Sequence, residues 1–185
     1  QMMLPINLML INTVTIVVGT NRGNSKSAEL AEFYEKSFNE KKISCQVLDL
    51  KVLPSDFIFT ECFGQRSEQY AQILEKYVIN ADKFVFVLPE YHGGFPGIVK
   101  SFLDSFSGDL IAGKHAALVG VSSGRAGNLR GLDAFAGVLG YMQVEVLANR
   151  PKLSNIEGVL KRGVLANAEN LAKVEKQILQ LISII

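Results

Sequence analysis

Apolar runs and helical stripes alternate along this chain from near its start to its end. Strand-like runs fall at 14–19, 43–48, 83–88, 115–121 and 143–147, and three of them are nearly continuous apolar stretches rich in Val and Phe. Strands apolar on both faces suit a parallel sheet covered by helices on each side. Between the runs lie helical patterns. Leu30, Phe33, Tyr34 and Phe38 make an i, i+3, i+4, i+8 stripe within 25–41. Ile73, Leu74 and Tyr77 mark 69–79, and Ile98, Val99, Phe102, Leu103 and Phe106 mark 96–106, where Pro96 suits a first-turn position. Residues 128–139 form a fourth helical segment, and Leu171, Val174, Ile178, Leu181, Ile182 and Ile185 put the last stretch in helical register.

Five strands alternating with five helices predict a three-layer, doubly wound α/β fold, because each parallel crossover is right-handed and helix-covered. Ligands in that architecture bind beyond the carboxyl ends of the strands. The loops after the first, third and fourth strands should therefore meet, and all three are unusual in composition.

Composition narrows the class. The 185 residues read as one domain over 1–185, with 1–12 as a leader to the first strand. Apolar residues make up 48% and charged residues 20%, which places the chain among globular proteins. A net charge of +1 supplies no field for nucleic acid. Cys45 and Cys62 are too few and too far apart for a disulfide scaffold or a redox dithiol, and Cys45 reads as a small buried hydrophobe. Two distant histidines, His92 and His115, argue against a transition-metal site. The apolar start, broken by Pro5 and Asn7, is too short to span a bilayer and lacks a signal peptide's basic flank. A cytoplasmic protein without a membrane partner is expected.

The first loop runs Gly19-Thr20-Asn21-Arg22-Gly23-Asn24-Ser25. It is neither a Gly-x-Gly-x-x-Gly nor a P-loop, since Thr20 and Ser25 stand where the latter needs glycine. Hydroxyls from Thr20 and Ser25, the Asn24 amide, the Arg22 guanidinium and a helix start suit a terminal phosphomonoester. A plain helix cap beside a solvated arginine would use the same residues. The second loop, Pro89-Glu90-Tyr91-His92-Gly93-Gly94-Phe95-Pro96-Gly97, offers bare backbone to a flat ligand and a tyrosine ring, or is only a Gly/Pro turn. The third, Ser122-Ser123-Gly124-Arg125-Ala126-Gly127-Asn128, offers room and N–H groups to a planar ring's edge, or merely leads into the next helix. Arg125 meets an anionic second substrate or is solvated.

Gly19-Thr20-x-Arg22-x-x-Ser25, with Pro89-Glu90-Tyr91-x-x-Gly94-x-Pro96-Gly97, Lys100 and Asp104, resembles the NAD(P)H-dependent FMN reductases of the flavodoxin-like fold. Flavin, quinone, azo-dye and chromate reductases belong to that group, and the resemblance spans 14–147. It implies a five-stranded parallel sheet of order 2-1-3-4-5, with FMN as cofactor and NAD(P)H as co-substrate. Thr20, Arg22 and Ser25, helped by Asn24, would hold the FMN phosphate. Pro89, Glu90 and Tyr91 would line the ribityl chain and ring, beside His92, with Gly94 admitting the ring. Ser123 and Gly124 would lie at its polar edge. The chain departs from the family's usual Asn at His92, and from a bulkier or polar residue at Gly93.

In such an enzyme the cofactor performs the redox step, so no catalytic side chain is expected. Hydride would pass from NAD(P)H to the flavin and then to a small acceptor, in ping-pong order. Two other classes stay open: a non-catalytic flavodoxin-type electron carrier, and a binding module that has lost the cofactor. Residues 53–65, with Phe57, Phe59 and Phe63, form a long connection expected to pack against a second subunit beside the flavin, since related reductases are usually homodimers; a homodimer or homotetramer is expected.

Overall fold

The computed structural model describes residues 12–184. In chain order the elements are β1 (Val14–Val18), α1 (Lys26–Glu40), β2 (Cys45–Asp49), α2 (Phe57–Thr60), α3 (Glu68–Leu74), β3 (Lys83–Pro89), α4 (Gly97–Asp104), β4 (His115–Val121) and α5 (Leu129–Tyr141). There follow β5 (Glu145–Val146), β6 (Lys152–Leu153), α6 (Ile156–Val159), β7 (Leu160–Lys161), β8 (Val164–Leu165) and α7 (Ala168–Ser183). The leader over 1–12 lies outside the described residues except for Asn12, as does Ile185.

The main sheet is parallel, in the order β2-β1-β3-β4-β5, so the chain has the flavodoxin-like topology. Val14 is level with Cys45 and Lys83, and Lys83 with His115, so the carboxyl ends of the strands stand together. Alternate residues feed separate cores. Ile16, Val85 and Val119 face Leu30, Tyr34 and Phe38 of α1 and Val174 and Ile178 of α7. Val17, Phe84, Phe86 and Leu118 face Tyr70 and Leu74 of α3, Val99 and Phe102 of α4, and Phe135 of α5. On that second side Phe84, Phe86, Phe135 and Phe95 form a chain of ring contacts at 5.7, 5.0 and 5.2 Å. Each fully buried phenylalanine contributes about 1.5–3 kcal/mol by leaving water.

The fifth strand differs from the expected run over 143–147. β5 pairs only with His115–Ala116; the chain then leaves the sheet and returns as β6 beside Gly120–Val121. Pro151 at the re-entry has no N–H to give the ladder. The gap is closed from α7 by the fully buried Gln177, whose Nε2 donates to Leu118 O and Asn149 O, both at 2.8 Å. Its Oε1 accepts the Tyr34 hydroxyl at 2.7 Å. Burial pushes the Tyr34 phenol far up, so it stays protonated and keeps donating.

Other boundaries shift for local reasons. The segment 69–79 is α3 followed by a π-turn over Glu75–Ile79. Pro96 is the residue before α4 rather than in its first turn, with φ −64° and ψ 144°. Residues 53–65 contain the short α2, whose Phe57 packs on Tyr70 at 5.1 Å between ring centres. Cys45, expected to be buried, is half-buried, and burial together with the Glu35 charge raises its thiol. The β7–β8 hairpin was not foreseen; Arg162 (φ 51°) and Gly163 (φ 72°) make its turn, and Gly163 N–H donates to Glu29 of α1 at 2.9 Å. Among the described residues, no helix is long and apolar enough to cross a membrane.

Candidate functional site

The loops after β1, β3 and β4 meet at the carboxyl end of the sheet, as expected. They enclose a cleft of about 400 Å³ lined by Arg22, Asn24, Ser25, Ser27, Pro89, Glu90, Tyr91 and Ser123. A second hollow of about 300 Å³ is lined by Glu90, Ser122 and Ser123 together with His92, Gly93, Gly124 and Arg125. Glu90, Ser122 and Ser123 line both hollows, so the two adjoin.

The first loop is shaped by Asn24, which takes a left-handed conformation (φ 50°) that asparagine tolerates well. That turn delivers Ser25 as the cap of α1, its Oγ accepting the Ala28 N–H at 3.1 Å. Two residues on, Ser27 is buried in the cleft wall, and its Oγ has no hydrogen-bond partner among the described residues. A buried hydroxyl left so costs about 1–3 kcal/mol. Such an atom calls for a ligand or a water. The Arg22 guanidinium is exposed at the rim. Thr20 is placed differently from its neighbours. It is fully buried beneath the loop, accepts the Arg22 backbone N–H at 3.1 Å and lies 2.8 Å from the Tyr91 hydroxyl. It braces the loop from below.

In the second loop Tyr91 and Gly94 exchange backbone hydrogen bonds at 2.9 and 3.1 Å. His92 (φ 52°) and Gly93 (φ 79°) form the two-residue turn between them. Left-handed angles at both positions define the tight hairpin turn that favours Asn-Gly. Histidine meets the same backbone demand while leaving its ring exposed. Gly94 lines neither hollow; it closes this turn.

Glu90 joins the second loop to the third. Its N–H donates to Val121 O at 2.8 Å, and its carboxylate accepts the Asn128 N–H at 3.0 Å. Asn128 is itself buried and left-handed (φ 62°), with Nδ2 donating to Leu88 O and Pro89 O at 3.0 and 3.1 Å. Within the third loop Ser122 Oγ accepts the Gly127 N–H at 2.9 Å. Gly127 (φ 56°) passes so close to β6 that a Cβ would sit 2.6 Å from the Lys152 backbone.

Sequence reading missed a fourth loop, after β6. Asn155 N–H donates to Gly124 O at 2.9 Å, and Ile156 N–H to Ser122 O at 3.1 Å. Glu157 Oε1 then accepts the Ser123 hydroxyl at 2.6 Å, so Ser123 is engaged. That hydrogen bond, aided by the charges of Lys26 and Arg22, holds the Glu157 carboxyl below its usual range. Lys26 lines the cleft too, but its Nζ turns to Glu29 at 2.6 Å and Leu160 O at 3.0 Å. Among the described residues, no group of His, Cys, Asp or Glu is placed to hold a metal.

Residues 12–155 match the NADPH-dependent FMN reductase family. The chain belongs to that family. Membership makes it an NAD(P)H-dependent flavin enzyme, with FMN as cofactor and NAD(P)H as co-substrate. The FMN reductase is 26% identical to a 2-hydroxy-1,4-benzoquinone reductase of Burkholderia sp over 144 residues, 76% of each chain. It is 30% identical to an FMN-dependent NADPH-azoreductase of Staphylococcus aureus over 112 residues, 59% of this chain and 60% of that one. In structure it resembles a flavoenzyme NAD(P)H:(acceptor) oxidoreductase from Paracoccus denitrificans, with a TM-score of 0.77 at 18% identity over 92% of this chain and 95% of the other.

Proposed function

We propose that this FMN reductase passes hydride equivalents from NAD(P)H to a small acceptor, a quinone or a free flavin, in ping-pong order. The observation that carries the reading is the buried, partnerless Ser27 hydroxyl in the first turn of α1, beside the Ser25 cap and the Arg22 guanidinium. A phosphate monoester there would meet the positive end of the helix and take a charge-assisted bond from Arg22, and rotation of the Ser27 side chain would bring its hydroxyl, closed to solvent in this structure, to the same anion. Asn24 sits on the same rim.

Bound with its phosphate there, FMN supplies the redox centre. The protein's part is to bind and orient. Pro89, Glu90 and Tyr91 would flank the ribityl chain and ring, with the latch from Tyr91 to Thr20 fixing that wall. His92 and Gly124 would border the ring, and Ser123, which lines both hollows, would stand where ring and phosphate ends adjoin, its hydroxyl given to Glu157 on the phosphate side. A ring lying along these loops would present one face to nicotinamide and acceptor in turn, which a ping-pong order requires. No side chain is assigned as nucleophile or base. The Burkholderia relative's name supports a quinone as acceptor.

We also place this reductase in the cytoplasm, where its two free thiols suit a reducing milieu, and as a homodimer. Phe59 and Phe63 are 87% and 89% exposed, and Phe63 lines a hollow of about 390 Å³ of mixed character that also holds Leu103, Phe106, Tyr141, Lys100 and Asp104, which supports a subunit contact there.

Steady-state oxidation of NAD(P)H by the FMN-loaded protein, with a quinone varied against the nicotinamide, tests the reading. Parallel double-reciprocal lines are expected. Flavin uptake without NAD(P)H oxidation would instead identify a carrier, and a net charge of +1 already disfavours the acidic surface by which carriers steer to partners.

A further inference from the structure

Glu157 stands where a phosphate-binding cleft has least use for a carboxylate. It lines the same hollow as Arg22, Ser25 and Ser27, and its Oε1 accepts the Ser123 hydroxyl at 2.6 Å. Its backbone is pinned in place. Asn155 N–H and Ile156 N–H are bonded to Gly124 O and Ser122 O, and the Ile156 side chain is buried.

The charges lining this cleft are Arg22 and Lys26 against Glu90 and Glu157, two of each sign. Lys26 is further neutralised by Glu29 at 2.6 Å. A phosphate monoester brings roughly −1.5 to −2 near neutral pH. Hydrogen-bond donors are plentiful there, but the net field is close to nil. We propose that Glu157 limits the grip on the flavin phosphate, so that FMN binds as an exchangeable ligand rather than a permanently resident group.

This inference rests on the reading of the cleft as the phosphate site. Ser123 holds the carboxylate at the rim in a fixed direction, so the anion cannot simply swing away without giving up that bond. Its exposure to solvent weakens the repulsion, which is why the effect is one of degree.

Glu157→Gln removes the charge and keeps both the size and an oxygen for Ser123 to donate to. Binding of FMN and of riboflavin, which lacks the phosphate, is measured by quenching of flavin fluorescence, with release rates from stopped flow. In Glu157→Gln, FMN should bind about threefold tighter, a change typical of one nearby solvent-screened charge, mainly through slower release. Riboflavin should bind as before. Unchanged or weaker FMN binding, or equal tightening of riboflavin, would overturn the proposal. Arg22→Ala separates the two levels of the argument. If that variant still prefers FMN to riboflavin by the wild-type margin, the phosphate-site reading fails. If the margin shrinks there while Glu157→Gln shows no gain, only the role given to Glu157 fails.

Discussion

The Tyr91 hydroxyl lies 2.8 Å from the Thr20 hydroxyl, which latches the loop after β3 to the loop after β1. Seventy-one positions separate the two residues. Replacing either partner alone leaves the other hydroxyl partly buried and short of a bond. A double-mutant cycle of Thr20→Val and Tyr91→Phe should give a coupling of about 1 kcal/mol in urea unfolding of the apo-protein. Strict additivity would show that the latch carries no energy.

Ser27→Ala should move stability and ligand binding in opposite directions. Removing a buried hydroxyl without a partner should leave the apo-protein as stable or up to about 1 kcal/mol more so. FMN affinity should fall roughly fivefold to tenfold as one bond to phosphate is lost. Thermal melts of the apo-protein and FMN titrations check the pair of signs, and a variant weakened in both would refute it.

Acid should erode the contact between α1 and the β7–β8 hairpin. Burial by itself would raise the Glu29 carboxyl, but the Lys26 ammonium and the Gly163 N–H outweigh it and hold the group below its ordinary 4.5. A carboxyl lower in the folded than in the unfolded state stabilises the fold above its unfolded value, and that contribution is lost as pH falls through the folded one. Urea midpoints should therefore decline more steeply below 4.5 in the wild type than in Glu29→Gln. Parallel declines would assign the acid sensitivity elsewhere.

Phe63→Glu should convert a dimer to monomers if the exposed phenylalanines meet a second subunit. Sedimentation velocity at micromolar concentration reads this directly. Because Phe63 is 89% exposed, monomer stability should shift by no more than about 0.5 kcal/mol. A wild type that already sediments as a monomer removes the interface.

Much of the sheet was legible because its strands are apolar on both faces. The run at 115–121 coincides with β4, and 83–88 falls one residue short of β3. The broken fifth strand was not legible, since β5 and β6 are two residues each and the group bridging them, Gln177, comes from the last helix. The meeting of three loops followed from topology alone. Ser27 escaped notice because a serine inside a helix has no local mark of being buried without a partner. Glu157 escaped because its link to Ser123 spans 34 residues. The β7–β8 turn did leave a trace in Arg162-Gly163, a glycine between short apolar pairs.

The divided strand at the end of the sheet has a consequence for life at high protein concentration. An unbroken outer strand exposes a regular row of amide donors and acceptors onto which another chain can align. Here the border opposite β2 is two short pieces separated by a detour and a proline, and α7 fills the interval with Gln177. That frontier is a poor template for growth by strand addition, so this border of the sheet resists self-templated clumping.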